Sequence, residues 1–227
     1  MLLYSAPLSL FARKVEIALR EKGLAYDRVL VAFSQEKGYS PKHPEVLKAN
    51  PKGQVPVLID GDLTLIDSTV IIEYLEDAYP SPPLLSEGAR ERAACRLWDL
   101  FADEILLVPV RALMFRNGPW PRDLAQRAQE EEKAKAADPV IASHFGEIDA
   151  KLESKDYLCG AFSAADIALF MTVHYARRLG GPGLRTYPRL KAWYERLAAR
   201  TAFAGIIEEI AAADRALSLP VEGAFRD

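Results

Sequence analysis

The chain has 227 residues, 50% of them hydrophobic and 27% charged, with 29 basic against 32 acidic side chains and a formal net charge of -3. That is the balance of a soluble globular protein large enough for one large domain or two small ones, and it offers no basic field for nucleic acid or an anionic membrane. Two distant cysteines (Cys95, Cys159) and three scattered histidines (His43, His144, His174) argue against a disulfide framework and against a zinc site. The N-terminal Met1–Tyr4 lacks the basic region of a signal peptide, and Arg13, Lys14 and Glu16 cut short any apolar run. No stretch approaches the ~20 apolar residues of a membrane span, so the expectation is a cytoplasmic protein.

In chain order, Leu2-Leu3-Tyr4 reads as a short strand and Ser5 to Leu8, holding Pro7, as a loop. Phe11, Val15, Ala18 and Leu19 recur at helical spacing from Leu10 to Lys22, and Gly23 stops the helix. Tyr26 to Val31 predicts a second strand. Gln35 to His43 is a polar loop, and Pro44 to Ala49 a short helix with proline at its start. Val55 to Asp67 then reads as strand, Asp60-Gly61 turn and strand, followed by a helix from Ser68 to Tyr79. The sum is a small sheet with helices on its faces.

Pro80-Ser81-Pro82-Pro83 is a stiff, helix-breaking run and marks a boundary, with a linker over 80–86 between a domain at 1–79 and one at 87–227. No strand pattern follows it. Glu87 to Arg116 is a long amphipathic stretch in which Pro109 predicts a kink. Asn117 to Pro121 reads as a loop and Arg122 to Ala137 as a helix with a solvated acidic face. After a break at Asp138-Pro139 come helices at Val140–Leu152, Ser163–Arg178, Pro188–Arg200 and Phe203–Leu217. Ser163 and Asp166 have the spacing of a capping box, with Phe162 and Ile167 as its hydrophobic staple.

One stretch organises the first half: Asn50-Pro51-Lys52-Gly53-Gln54-Val55-Pro56-Val57-Leu58. A proline that opens a strand gives up a ladder donor and belongs at an edge or bend. A cis Val55-Pro56 bond would free the Val55 backbone for an extended guest peptide, although cis accounts for only about 5–6% of X-Pro bonds.

This stretch, together with Tyr4-Ser5-Ala6-Pro7-Leu8-Ser9-Leu10-Phe11-Ala12-Arg13-Lys14-Val15, Asp67-Ser68 before a helix, Ser163-Ala164-Ala165-Asp166 and the later Tyr187-Pro188-Arg189-Leu190-Lys191-Ala192-Trp193-Tyr194, resembles the glutathione S-transferase superfamily, in particular its serine-type, theta/zeta-related members. The motifs span nearly the whole chain. The resemblance implies an α/β thioredoxin-like N-terminal domain, an all-α helical C-terminal domain, a cis Val55-Pro56 bond and a homodimer. Glutathione would be a co-substrate, with no metal, nucleic acid or membrane partner.

The resemblance also implies roles. Ser9 falls on the active serine, where its hydroxyl and the positive end of the first helix would stabilise the glutathione thiolate. On position alone Ser9 reads as an N-cap. Tyr4, one residue early for the tyrosine of other branches, and Ser5 are rival candidates. Val55 and Pro56 would pair with the cysteinyl unit, Gln54 with the glycyl end, and Asp67 and Ser68 with the γ-glutamyl end. The family's usual residue at the position of Asp67 is Glu, one methylene longer. Lys42 and His43 are equal candidates for a basic contact. Leu8, Leu10, Leu113 and Phe115 would meet a hydrophobic electrophile. Arg178 falls where zeta-branch isomerases carry an arginine, but Ser9-Leu10-Phe11 departs from that branch's Ser-Ser-Cys, so Arg178 reads as a solvated helix-end residue. The functional expectation is conjugation of glutathione to a hydrophobic electrophile. Two alternatives stand beside it: a glutathione-dependent isomerase or β-etherase, and a non-catalytic glutathione- or ligand-binding protein.

Overall fold

Two compact units share this chain in the computed structural model, which describes residues 1–118 and 123–227: Met1–Leu85 with Thr201–Leu217, and Ser86–Arg200 with Ser218–Asp227. In the first unit, β1 (Leu2–Ser5), α1 (Leu10–Glu21), β2 (Asp27–Leu30), α2 (Pro44–Ala49), β3 (Val57–Asp60), β4 (Leu63–Ile66) and α3 (Ser68–Ala78) follow in order. Among the described residues the sheet has four strands in the order β2-β1-β3-β4. β1 runs parallel to β2 with Tyr4 opposite Val29, β3 runs antiparallel to β1 with Val57 opposite Tyr4, and β4 returns with Ile66 opposite Val57. The hairpin forms where the sequence predicts it but turns one residue later, on Gly61-Asp62, because Asp60 is still paired with Leu63; Gly61 takes the left-handed conformation. This register has a consequence for function. The end of β1, the start of β3 and the end of β4 all lie at one end of the sheet.

Burial explains the strands. Tyr4, Ala6, Val31, Val55 and Val57 form one buried cluster with Ala12 of α1 and Val46 of α2. α1 also packs against α3 and against α9 (Thr201–Leu217). The contact with α9 is ionic as well as apolar. Arg13 Nη1 donates to Glu16 and to Glu209, each at 2.8 Å, while Arg20 and Arg28 bond Glu209 and Arg28 also bonds Glu16 at 2.7 Å. Burial works against the charge of Glu209, but hydrogen bonds from Arg20 and Arg28 and the charge of Arg13 hold its carboxyl down at about 2. The proline-rich run after α3 is fastened too. Lys22 Nζ bonds Glu76 at 2.7 Å and the carbonyls of Tyr79 and Pro82, and Glu76 accepts the amides of Leu84 and Leu85.

The second unit is helical among its described residues. It holds α4 (Ala89–Leu100), a π-helical stretch (Phe101–Leu106), α5 (Leu107–Arg111), a 3₁₀ turn (Met114–Asn117), α6 (Leu124–Lys151), α7 (Ala164–Arg178) and α8 (Pro188–Ala198). Pro109 does disturb the long amphipathic stretch, and the disturbance lies one turn ahead of it. Proline has no amide to give to residue 105, and the wider turn is visible where Leu107 N–H reaches Ala102 O.

The break expected at Asp138-Pro139 is absent, and α6 runs through it as one helix of 28 residues. Its buried residues, Ala134, Ala137, Ile141, Phe145 and Ile148, step by three or four across the proline. Both halves therefore bury one continuous face, and that packing outweighs the single hydrogen bond that proline forfeits. The loop and helix start expected at Pro119 to Arg122 lie outside the described residues.

Candidate active site

The loop after β1 is held at three points. Ser5 Oγ donates to the buried Glu16, Arg13 donates twice to Pro7 O at 3.1 and 3.2 Å, and Ser9 N–H bonds Ala6 O at 3.2 Å. This clamp delivers Ser9 to the start of α1. There it is 5% exposed, and its Oγ accepts the Ala12 amide at 3.3 Å. Ser9 is thus an N-cap by a long, weak bond. The rival residues are otherwise occupied. Tyr4 is 6% exposed in the sheet cluster with its ring 4.9 Å from that of His43, and Ser5 is committed to Glu16.

By the sheet register, Val55 and Pro56 precede β3 beside the end of β1. The Val55-Pro56 bond is cis. Among the described residues, neither the amide nor the carbonyl of Val55 takes a hydrogen bond. Gln54 is exposed, and its carbonyl accepts Asn50 Nδ2 at 2.9 Å, which braces the loop before the cis bond.

Asp67 and Ser68 follow β4 at the same end of the sheet. Asp67 caps α3, accepting the Thr69 amide at 2.9 Å and the Val70 amide at 3.2 Å on Oδ1, and it sits at φ 74°. A non-glycine residue there is strained, and strained backbone concentrates where a site must be shaped. Ser68 is buried in the first turn. The N-termini of α1 and α3 therefore share one sheet end with the unpaired backbone of Val55, just ahead of the interior strand β3. Together they can bind an extended peptide through its backbone and hold negative charge at either end of it.

The remaining candidates divide between the units. Leu8 and Leu10 are buried in the first unit. In the second, Leu113 is buried and Phe115 is half-buried in the 3₁₀ turn. Lys42 donates to Gly53 O at 3.0 Å, whereas the buried Nδ1 of His43 has no partner. Arg178 differs from expectation: it is 5% exposed, with its guanidinium 4.9 Å from the ring centre of Tyr175. Its place on the inward face of α7, whose residues from Ala164 to Ala176 are all buried, overrides the solvation usual at a helix end.

The capping box on α7 is present. Asp166 accepts the Ser163 amide at 2.9 Å, the Ser163 hydroxyl at 3.1 Å, the Leu158 amide at 3.0 Å and Trp193 Nε1 at 2.8 Å. Sequence reasoning missed one pairing. Cys95 and Cys159 are free thiols that share a hydrogen bond, which draws the Cys95 thiol down to about 7 and pushes that of Cys159 up. Their 64-residue separation hid it. Among the described residues no group of three His, Cys, Asp or Glu side chains is placed to hold a metal ion, and no helix is long and apolar enough to cross a membrane.

Known proteins share this arrangement. Residues 3–83 match the family model of the glutathione S-transferase N-terminal domain, and residues 99–201 that of the C-terminal domain. A probable maleylacetoacetate isomerase of Vibrio cholerae is 33% identical over 90% of this chain and 94% of its own. The theta class glutathione S-transferase of Xanthomonas axonopodis pv. citri, solved with glutathione bound, superposes with a TM-score of 0.75 at 27% identity, covering 90% of this chain and 95% of that one. A β-etherase from Sphingobium sp. does so with a TM-score of 0.73 at 26% identity, covering 92% and 98%.

Proposed function

The chain belongs to the glutathione S-transferase superfamily, and from that premise we propose that it binds glutathione at the shared end of β1, β3 and β4 and uses Ser9 to hold the thiol as thiolate. The observation that carries this reading is the open Val55 backbone between two helix N-termini. Val55 pairs with the cysteinyl unit as a short added strand beside Pro56. Asp67 receives the γ-glutamyl ammonium while Ser68 and the N-terminus of α3 receive its carboxylate, and Gln54 contacts the glycyl end. His43, whose Nδ1 is unpartnered, suits the glycyl carboxylate better than Lys42, which is already bonded to Gly53.

The thiol proton leaves to water, because Ser9 already carries its own proton and acts as a hydrogen-bond donor. An ordinary thiol near 8.5 is a few per cent ionised at neutral pH, and each unit of depression takes about 1.4 kcal/mol of preferential stabilisation. The thiolate sulfur then forms a bond to an electrophilic carbon, whose leaving group or π electrons take up the displaced pair. Leu8, Leu10 and Phe115 are the proposed apolar contacts of that electrophile. A detoxifying role in the cytoplasm follows, and the two free thiols suit a reducing compartment. The division into residues 1–79, 80–86 and 87–227 stands as a proposal about evolutionary domains.

Spectrophotometric titration of bound glutathione in wild type and Ser9→Ala tests the assignment. The substitution should raise the bound-thiol pKa by about one to two units, and kcat/KM with an aromatic halide should fall by about 100-fold. An unchanged thiol pKa sinks the role of Ser9, and glutathione that does not bind at all points to the ligand-carrier reading.

Isomerisation is the second reading. Two observations favour it: the buried Arg178 guanidinium, suited to an acidic substrate, and the identity with a probable maleylacetoacetate isomerase. Turnover of a maleyl acid in preference to the halide would decide for it.

We also propose a homodimer. Leu97, Leu100, Ile105 and Val108 are exposed, and Ala94, Leu97, Trp98, Phe101, Glu147 and Lys151 line a groove of about 370 Å³. Sedimentation as a 25.2 kDa species at micromolar concentration would contradict it.

A further inference from the structure

Ser9 owes its place to more than its own cap bond. The Ala12 amide reaches its Oγ at 3.3 Å, long for a bond that has to fix a hydroxyl. Ala6 to Ser9 form a tight turn, closed by Ser9 N–H on Ala6 O at 3.2 Å, with Pro7 in second place. The proline ring fixes φ there. The freedom left in the turn is chiefly rotation of the Pro7–Leu8 peptide plane, and the Pro7 carbonyl is the handle of that plane.

Arg13, in the first turn of α1, holds the handle. Its Nε and Nη2 both donate to Pro7 O, at 3.2 and 3.1 Å. Two carboxylates grip the other end of the same guanidinium, where Nη1 donates to Glu16 Oε2 and to Glu209 Oε2, each at 2.8 Å. Arg13 is 2% exposed, and Glu16 is fully buried with its second oxygen accepting Ser5 Oγ at the end of β1. A guanidinium is planar and rigid, so carboxylates that fix one end also fix the direction of the N–H groups at the other. Both flanks of the turn are thus tied to one ion cluster, Ser5 through Glu16 and Pro7 through Arg13. Glu16 and Glu209 already neutralise the guanidinium. Its forked contact with Pro7 O sets the backbone instead.

We infer that Arg13 is a positioning residue for the thiolate-binding hydroxyl: by holding the Pro7–Leu8 peptide plane it sets how the chain enters α1, and so where Ser9 Oγ stands relative to the sulfur of glutathione. The inference rests on the reading of Ser9 given above. Arg13 acts through the backbone. Hydrogen bonds weaken steeply with distance and misalignment, so a small displacement of Ser9 is enough to move the thiol pKa.

Arg13→Lys tests this, because it keeps the charge but replaces the fork with a single ammonium that cannot reach Pro7 O and both carboxylates in this geometry. Wild type, Arg13→Lys, Ser9→Ala and the double variant are each titrated with glutathione by thiolate absorbance and unfolded in urea. Arg13→Lys should raise the bound-thiol pKa by about half a unit and move the pH profile of kcat/KM with an aromatic halide by the same amount. In the Ser9→Ala background it should move neither any further. Glu209→Gln loosens one of the two carboxylates, should shift the thiol pKa the same way by less, and decides the question if Arg13→Lys does not fold. Lost urea stability with an unmoved thiol pKa, while Ser9→Ala still shifts it, makes the cluster a support of the fold alone and overturns the role of Arg13. Equal shifts from Arg13→Lys in both backgrounds overturn it as well, because the effect would then bypass Ser9. If Ser9→Ala moves nothing, the reading of Ser9 falls and takes this inference with it.

Discussion

Among the described helices α1 and α7 each have a serine as N-cap, Ser9 and Ser163, and they are finished in opposite ways. At the start of α7, Asp166 is fully buried and its two oxygens take four hydrogen bonds, from Ser163 twice, Leu158 and Trp193. Nothing remains there to bind a ligand. At the start of α1, Ser9 accepts a single long bond from Ala12, and the first turn carries no acidic residue. The Ala12 amide has only that long bond, and no acidic side chain answers the helix dipole in the first turn. A saturated helix start supplies stability, and a loosely capped one is suited to the site proposed there.

The contrast can be broken by substitution. Asp166→Ala should have the largest effect on folding, about 4 kcal/mol, because it strands buried donors on Leu158, Ser163 and Trp193. Urea denaturation measures it, and a loss below about 1 kcal/mol would show that the hub is ornamental. The variant, while folded, should leave the thiol pKa of bound glutathione where it was. Ser9→Ala should do the reverse. Its folding cost should be about 1 kcal/mol or less, since the cap bond is weak, against the far larger catalytic loss described above. A Ser9→Ala protein destabilised as much as Asp166→Ala, with its thiol pKa unmoved, would erase the distinction.

Legibility in the sequence followed the range of the interactions. The β3–β4 hairpin, α2, the cap of α7 and the end of β1 depend on neighbours a few residues away, and Asp60-Gly61, Pro44 and Ser163-Asp166 announce them. Three features could not be read in that way. The path of α6 through Pro139 depends on a buried face set by its partners. Arg178 looks like any cation at a helix end until α7 is seen to be buried almost all round. The pairing of Cys95 with Cys159 spans 64 residues of chain, with no motif spacing to announce it. Within the candidate site, the strand-opening proline marks Val55, whereas the roles of Ser9 and Asp67 come only through the resemblance. Composition and spacing alone left Ser9 and Asp67 as ordinary caps, which the hydrogen bonds show them also to be.

A smaller effect sharpens the same contrast through Arg13, which bonds both Glu209 and the loop carrying Ser9. Glu209 is held down at about 2 in the folded protein, against about 4.3 for an unconstrained glutamate. A depressed carboxyl contributes its stabilisation above the unfolded value and loses it as the pH falls through the folded one. Glu209→Gln should therefore cost about 2 kcal/mol at neutral pH, allowing for its partial exposure. The stability gap from wild type should close as the pH drops from about 4.3 toward 2. Thermal melts of the two proteins across that interval would show it, and a gap that is the same at every pH would place the cost in packing instead of charge.

The return of α9 to the first unit also bears on how the protein is made. The sheet and its three helices are complete after residue 85, yet Arg13, Arg20 and Arg28 find Glu209 only when residues 201–217 have been synthesised. On the ribosome, the first unit must therefore wait through more than a hundred further residues before its last helix arrives. Until then it carries three arginines, one of them destined for full burial, with Glu16 as the one partner among those two carboxylates. A chain shortened at the proline-rich boundary would stay in that unfinished state.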